Sequence, residues 1–139
     1  MSSDPKISRL QAIPLFRKGS EKALGHLAQA ADETTVDAGR TLIDQGHHHN
    51  EAYVIISGVA DVVVDGEVIA EIPAGEMVGE LGYFARSAAS ATVKAKTDLE
   101  VLVIPYNRFD QVLDDNPDLL KAITIDLAER LVATDERLR

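Results

Sequence analysis

Cysteine and tryptophan are absent from the 139 residues, and the other aromatics amount to three Tyr and three Phe. Without Cys there is no disulfide framework, no thiolate nucleophile and no thiolate metal site, and the redox compartment leaves no trace in the sequence. Basic residues are scarce: 14 Lys and Arg stand against 23 Asp and Glu, for a net charge of −9. Such a chain is repelled at long range by DNA and by anionic membranes, which argues against a self-contained transcription factor and against nucleic-acid or membrane partners. No apolar run approaches the ~18 residues of a spanning helix, and the first residues, Met1-Ser-Ser-Asp-Pro5, lack the features of a signal peptide. A cytoplasmic location is the expectation. Catalytic signatures are missing as well: there is no Gly-x-Ser-x-Gly elbow and no Walker loop, and most carboxylates fall in turns or on helix faces, where solvation is their ordinary role. A binding module is expected rather than an enzyme.

What is present is a chain of one domain's size with 45% apolar residues, enough for a globular core. Residues 1–19 read as an irregular lead-in with the apolar residues Ile7, Leu10, Ile13, Leu15 and Phe16, which Pro14 keeps from forming one continuous helix. Ser20 is an N-cap candidate for an amphipathic helix over Glu21–Ala31, with Ala23, Leu24, Leu27, Ala28 and Ala31 on one face. From Glu33 the apolar period changes to two. Short strands are expected at 33–36, 40–43, 53–57, 59–64, 67–72, 91–95 and 98–104. Asp65-Gly66 between two of them is a type I′ hairpin signal. About eight strands at this spacing suggest an antiparallel barrel or jelly roll. Tyr106–Leu113 reads as a helix, and Asn116-Pro117 starts a last one, with Asn as cap and Pro at the first helical position. In that helix Leu120, Thr124, Leu127, Leu131, Thr134 and Leu138 recur at spacings of four and three, a heptad seam. Packing on the chain's own barrel and dimerisation through the distal half are both open to it, and the distal half is expected to dimerise.

The stretch that carries chemistry runs from Gly75 to Val93. Gly79-Glu80-Leu81-Gly82 lies between strand-like segments. Gly79 has no Cβ to keep its backbone from a ligand, and Glu80, Leu81 and Gly82 would open a short helix whose first N–H groups are free to meet an anion. Glu80 suits a hydroxyl such as a ribose 2′-OH. A tight glycine turn with one solvated Glu is the plainer alternative for these residues alone.

The wider pattern resembles the phosphate-binding cassette of cyclic-nucleotide-binding domains, in which Gly-Glu-Leu is followed by a short helix, a loop and Arg-Ala/Ser-Ala-Thr-Val. Gly79-Glu80-Leu81 matches the first half and Ser90-Ala91-Thr92-Val93 the second, placing the cassette at 78–93. Ile13-Pro14-Leu15-Phe16, Gly39-Arg40-Thr41-Leu42-Ile43 with Gln45-Gly46, Tyr53-Val54-Ile55 with Ser57-Gly58, and Pro73-Ala74-Gly75-Glu76 are similar to the family in the same order. The resemblance implies one domain over 1–139: a helical segment over 1–31, an eight-stranded antiparallel jelly-roll barrel over 33–104, and two C-terminal helices over 106–139 that lid the pocket. It implies cAMP or cGMP as ligand. The implied binding residues are Gly79, Glu80, Leu81, Gly82, Ser90, Ala91 and Thr92, with Thr134 as a lid contact to the purine. One departure is plain. The family's phosphate-pairing Arg falls on Ala89, and the one basic residue of the loop, Arg86, stands three positions early. Binding is therefore expected to be weak, with Arg86 as a partial substitute. The Crp-like regulators of this family carry a basic helix-turn-helix after the sensor; with the sequence ending at Arg139, a stand-alone sensor is expected. It would act on an effector protein or a second copy through its last helix. A degenerate member that has lost the ligand and serves as an interaction or dimerisation module is the competing expectation.

His47-His48-His49 invites a metal reading, since a jelly roll with His-x-His near a Glu is also the pattern of cupins. Those need a further His after the Pro-x-Gly turn. Here Pro73-Ala74-Gly75 is followed by Glu76, Met77 and Val78, and no His occurs after position 49. Solvated loop histidines are the simpler expectation, and no metal is assigned.

Overall fold

A computed structural model describes residues 5–17 and 19–137, with side chains on the last helix described through Ala133. The lead-in is more regular than its sequence suggests. Helix α1 spans Pro5–Gln11 and a 3-10 turn spans Pro14–Phe16. Proline at the first helical position starts each of them, because its missing N–H is an orphan there and its fixed φ suits the helix. Helix α2 spans Glu21–Ala30, and the Ser20 hydroxyl accepts the Ala23 N–H at 3.0 Å, as the capping signal predicts.

The β region has eight strands: β1 Asp32–Val36, β2 Thr41–Ile43, β3 Glu51–Ser57, β4 Val59–Val64, β5 Glu67–Pro73, β6 Met77–Val78, β7 Thr92–Ala95 and β8 Leu99–Pro105. They form two four-stranded antiparallel sheets, ordered β1-β8-β3-β6 and β2-β7-β4-β5. The Asp65-Gly66 hairpin adopts the expected positive φ at both central residues, 51° and 83°. Strand β6 carries no sequence signal of its own. It is two residues long between Gly75 and Gly79, and it exists because Tyr53 and Val54 of β3 pair with Val78 and Met77.

The central strands β3 and β8 of the first sheet are covered on both faces, which is why β8 reads as a nearly unbroken apolar run; the edge strand β1 is largely exposed. Leu102 and Ile104 of β8, Val54 of β3 and Met77 of β6 join the helices in one core, with Leu10, Phe16, Leu24, Leu27, Phe109, Leu119 and Ile123. Leu99 and Val101 face the other way. They pack with Ile43, Ile55, Ala60, Val78, Val93 and Ala95 between the sheets. The outer face of the second sheet is open, and Val68 and Ile69 on its edge strand β5 are exposed.

Helices α4, Tyr106–Asp115, and α5, Pro117–Arg137, follow β8. The Asn116 side chain has a different task from the one its position before Pro117 suggests. Its amide donates to Val112 O at 2.8 Å and meets His26 Nδ1 at 2.9 Å, tying the end of α4 to α2. The Asn116 carbonyl, not the amide, takes the Leu119 N–H of α5 at 3.0 Å. The seam on α5 is divided. Leu119 and Ile123 are buried and Leu127 packs partly against the same core, whereas Leu120, Ile125, Leu131 and Val132 are exposed. Leu127 therefore belongs to the chain's own core. Leu131, 71% exposed, is left to any partner, and Leu138 lies outside the described residues.

Candidate functional site

Strand β6 delivers the chain to Gly79, which has φ 87° and caps a six-residue helix α3, Glu80–Ala85. Glycine is required here by a neighbouring strand. A Cβ at position 79 would stand 2.9 Å from Glu51 O and 3.3 Å from Ala52 Cα of β3. Its carbonyl accepts a hydrogen bond from the Tyr106 hydroxyl at the start of α4. Burial, with the nearby Glu80 charge, pushes the Tyr106 phenol up to about 12, so it stays a donor at neutral pH. Gly82 has a second spatial reason, since a Cβ there would meet the Tyr106 hydroxyl at 2.7 Å and the His49 ring at 3.3 Å. Helix α3 is thus pressed against a Tyr106–His49 wall. Tyr83 extends that contact, its hydroxyl donating to Asp110 of α4 and its ring meeting Phe109 edge-on. Arg86 ends α3 in the left-handed conformation, φ 52°, its N–H bonded to Gly82 O.

From Ser87 the chain returns to β7, and this return is laced to the loop before β3. Gly46 N–H donates to Ala89 O at 2.8 Å, and Ala89 N–H donates to His47 O at 3.0 Å. The Thr92 hydroxyl accepts the Gln45 N–H at 3.0 Å.

These elements enclose a cavity of about 440 Å³. Its walls include Gly79, Glu80, Leu81, Gly82, Ala89, Ser90 and Ala91, together with apolar side chains of the second core such as Ile43, Val62, Ile72 and Val93. Seven of the ten residues that the sequence points to therefore share one cavity. Thr92 is not in its wall, its hydroxyl being taken by Gln45. Arg86 is exposed and is not in the wall either, so the structure does not bring it into the place of the missing arginine. The Thr134 side chain lies outside the described residues.

Two wall residues escape sequence reasoning. Arg130 of α5 reaches the cavity, with its guanidinium 3.4 Å from Glu80 Oε1 and 2.9 Å from Asp126 Oδ2. The Asp126–Arg130 spacing of four is readable as a helix-surface pair, but nothing local announces a partner fifty positions away. The other is His49. Its Nδ1 lies 3.2 Å from Glu51 O and 3.2 Å from the Tyr106 hydroxyl. His47 lies 3.3 Å from Asp44 instead. Among the described residues no group of three or more His, Cys, Asp or Glu is arranged to hold a metal ion.

Glu80 is the electrostatic centre of the site. It is only 4% exposed, and its Oε2 is buried without a hydrogen-bond partner among the described residues. Burial raises its carboxyl above the ordinary value of 4.5, opposed by its own N–H and by Arg130 and reinforced by Asp126 and Glu76. A buried carboxylate oxygen without a donor is costly, and a ligand hydroxyl is a group that could satisfy it.

The family model described as "Cyclic nucleotide-binding domain" matches residues 33–116. The chain is 36% identical over 104 residues to the cAMP-activated global transcriptional regulator CRP of Escherichia coli, covering 70% of this chain and 50% of that protein. It spans about half the length of that curated relative. A solved regulatory subunit of a cAMP-independent protein kinase A from Trypanosoma brucei superposes with a TM-score of 0.76 at 28% identity, over 86% of this chain and 46% of that one. A triple mutant of the same trypanosome protein, one change of which replaces threonine by arginine, is solved bound to cAMP in its A site. The catabolite activator protein of Thermus thermophilus superposes with a TM-score of 0.80 over 90% of this chain and 61% of that one; at 22% identity this shows the shared jelly-roll fold.

Proposed function

Given that the chain belongs to the cyclic nucleotide-binding domain family, we propose that it is a regulatory or sensor module that takes cAMP or cGMP into the cavity beside α3. The observation that carries this reading is Glu80, a buried carboxylate in the cavity wall with one oxygen left without a donor. A ribose hydroxyl supplies that donor. The first N–H groups of α3, the Ser90 hydroxyl and the Ala91 N–H surround the cyclic phosphate, and the apolar wall receives the base. Leu81 stands exposed at the rim. The module is not an enzyme. Its function is to convert ligand occupancy into a change at α5, whose Arg130 already holds Glu80. Leu131 and Val132 then offer an apolar face to a second copy or an effector.

Binding is weak in this reading. A buried phosphate charge needs a partner, and Ala89 supplies none. Truncating one member of such a pair costs roughly 2–5 kcal/mol, or about 30-fold to several-thousand-fold in affinity. Against a reference affinity of about a micromolar for a site with the pair intact, this is a dissociation constant of about tens of micromolar or weaker. The test is thermal melting with millimolar cAMP, cGMP and, as control, AMP. At a hundredfold excess over Kd the stabilisation is about 2.7 kcal/mol, a rise of about 5–10 °C for a chain of this size.

A second reading has its own support. The trypanosome relative is described as cAMP-independent, and its cAMP-bound form carries an introduced arginine. With Ala89 in its cassette and Arg130 already on Glu80, this chain would then be an interaction or dimerisation module. No melting shift with any cyclic nucleotide, combined with an α5-dependent self-association, supports that reading over the first.

A further inference from the structure

The His47–His49 run lies against the one position where the cassette lacks its cation. Gly46 N–H and His47 O bond to both backbone groups of Ala89, so the run and the departure at Ala89 are a single piece of structure. Within the run, His49 is the member that lines the cavity, and its ring lies beside Gly82. Of the described residues lining that cavity, only Arg130 and His49 can carry positive charge, and Arg130 is bound to Glu80 and Asp126.

The hydrogen bonds around His49 fix which nitrogen is available. The Tyr106 hydroxyl gives its proton to Gly79 O. Its oxygen and Glu51 O, each 3.2 Å from His49 Nδ1, are then both acceptors. Nδ1 must carry the proton, which leaves Nε2 to gain one when the ring becomes charged. That edge of the ring lies against Gly82, where a Cβ would stand 3.3 Å from Nε2, and Gly82 is in the cavity wall.

We propose that protonated His49 is the cationic partner of the ligand's phosphate in this chain, standing in for the arginine absent at Ala89 and making nucleotide binding pH-dependent. This rests on the nucleotide-binding reading above. Histidine is the side chain whose charge ordinarily changes between pH 5 and 8. In the charged ring the second proton sits on Nε2, where it is a charge-assisted donor to the phosphate. The other charged and titratable groups that line the cavities on either side of His49 are Glu51 and Tyr53 on β3, Tyr106 on α4, Glu76 and Glu80 in the cavity wall, and Arg130 on α5; His48, Asp44 and His47, the last two 3.3 Å apart, share its loop. Glu80 acts in the opposite direction. Its protonation at low pH leaves a neutral carboxyl, a weaker acceptor for the hydroxyl, and so offsets part of the gain.

The test is calorimetry of cAMP binding to the full chain at pH 8.0 and 6.0, with His49→Gln, His49→Arg and adenosine as controls. The native protein binds about tenfold tighter at pH 6.0, the scale of one charge-assisted hydrogen bond. It takes up protons on binding, measured in buffers of different ionisation enthalpy. His49→Gln shows no gain in affinity between pH 8.0 and pH 6.0, while His49→Arg binds tightly at both values. Adenosine, without a phosphate, shows no such dependence on His49. Proton uptake is read on the native protein alone, so it stands even if a variant fails to fold. Native binding without proton uptake, or a pH gain that survives in folded His49→Gln, overturns the role of His49 and leaves the cyclic-nucleotide reading intact. No binding of cAMP or cGMP at either pH overturns both.

Discussion

Replacing Ala89 by Arg supplies a guanidinium to the proposed nucleotide site. The backbone at 89 is held on both sides, by Gly46 N–H on its carbonyl and His47 O on its N–H. The new side chain therefore starts from a fixed point in the cavity wall rather than from a mobile loop. The gross gain is that of completing a buried charged pair, roughly 2–5 kcal/mol. Against it stands the cost of ordering a long side chain, about 1–2 kcal/mol. A net gain of about 0–4 kcal/mol remains, or up to about several-hundred-fold in the affinity for cAMP or cGMP. Isothermal calorimetry on the native and Ala89→Arg proteins reads this directly, with Arg86→Ala beside them. Arg86 is outside the cavity wall, so its loss is expected to leave affinity within about twofold. If Ala89→Arg folds and binds neither nucleotide, the cavity is not a nucleotide site and the interaction-module reading takes its place. If the native protein already binds below a micromolar and Arg86→Ala leaves that unchanged, the phosphate has a stronger partner than the reasoning allows. In that case His49 is the first residue to examine.

Glu80→Gln is expected to weaken nucleotide binding about tenfold or more, since an ionised acceptor becomes a neutral amide. The same variant tests the pH linkage. The folded-state carboxyl is raised above 4.5, so its contribution is fully present below that value and is lost as pH rises through the folded value. The stability of native protein relative to Glu80→Gln should therefore fall over that interval, measured by urea unfolding at a series of pH values, and a flat difference refutes it. Leu131→Glu places a charge on an exposed part of α5; it should reduce self-association in sedimentation while leaving the melting temperature nearly unchanged. Truncation from Leu127 would confuse the two effects, because Leu127 packs on the core. Gly58→Ala should destabilise by about 2–4 kcal/mol, combining left-handed backbone strain with overpacking. Gly58 has φ 94°, and a Cβ there would run into Asp98 O and stand 2.7 Å from Leu99 Cδ2. An unchanged denaturation midpoint would count against the packing described for β3, β4 and β8.

The sequence by itself determined the features governed by local rules. The Ser20 cap, the Asp65-Gly66 hairpin and the period-two strands each depend on a few neighbouring residues whose backbone preferences point one way. They were legible for that reason, and the resemblance of their order to one family made the jelly roll legible too. Tertiary structure alone decided what faces what. Strand β6 exists only because β3 pairs with it. Gly79 is fixed by the Glu51 carbonyl, and Leu127 and Leu131, four positions apart on one seam, have opposite fates because the core shared with the other helices covers just part of α5. The charges of the site follow the same division. Glu80 could be singled out in the sequence, but its partner Arg130 lies fifty positions away, and the histidines lie forty positions or more before Ala89. No periodicity links residues at such distances. They meet because strand register brings the loop before β3 beside the end of the cassette and because α5 folds back across it, and it is there that the chain's own answer to its missing arginine has to be sought.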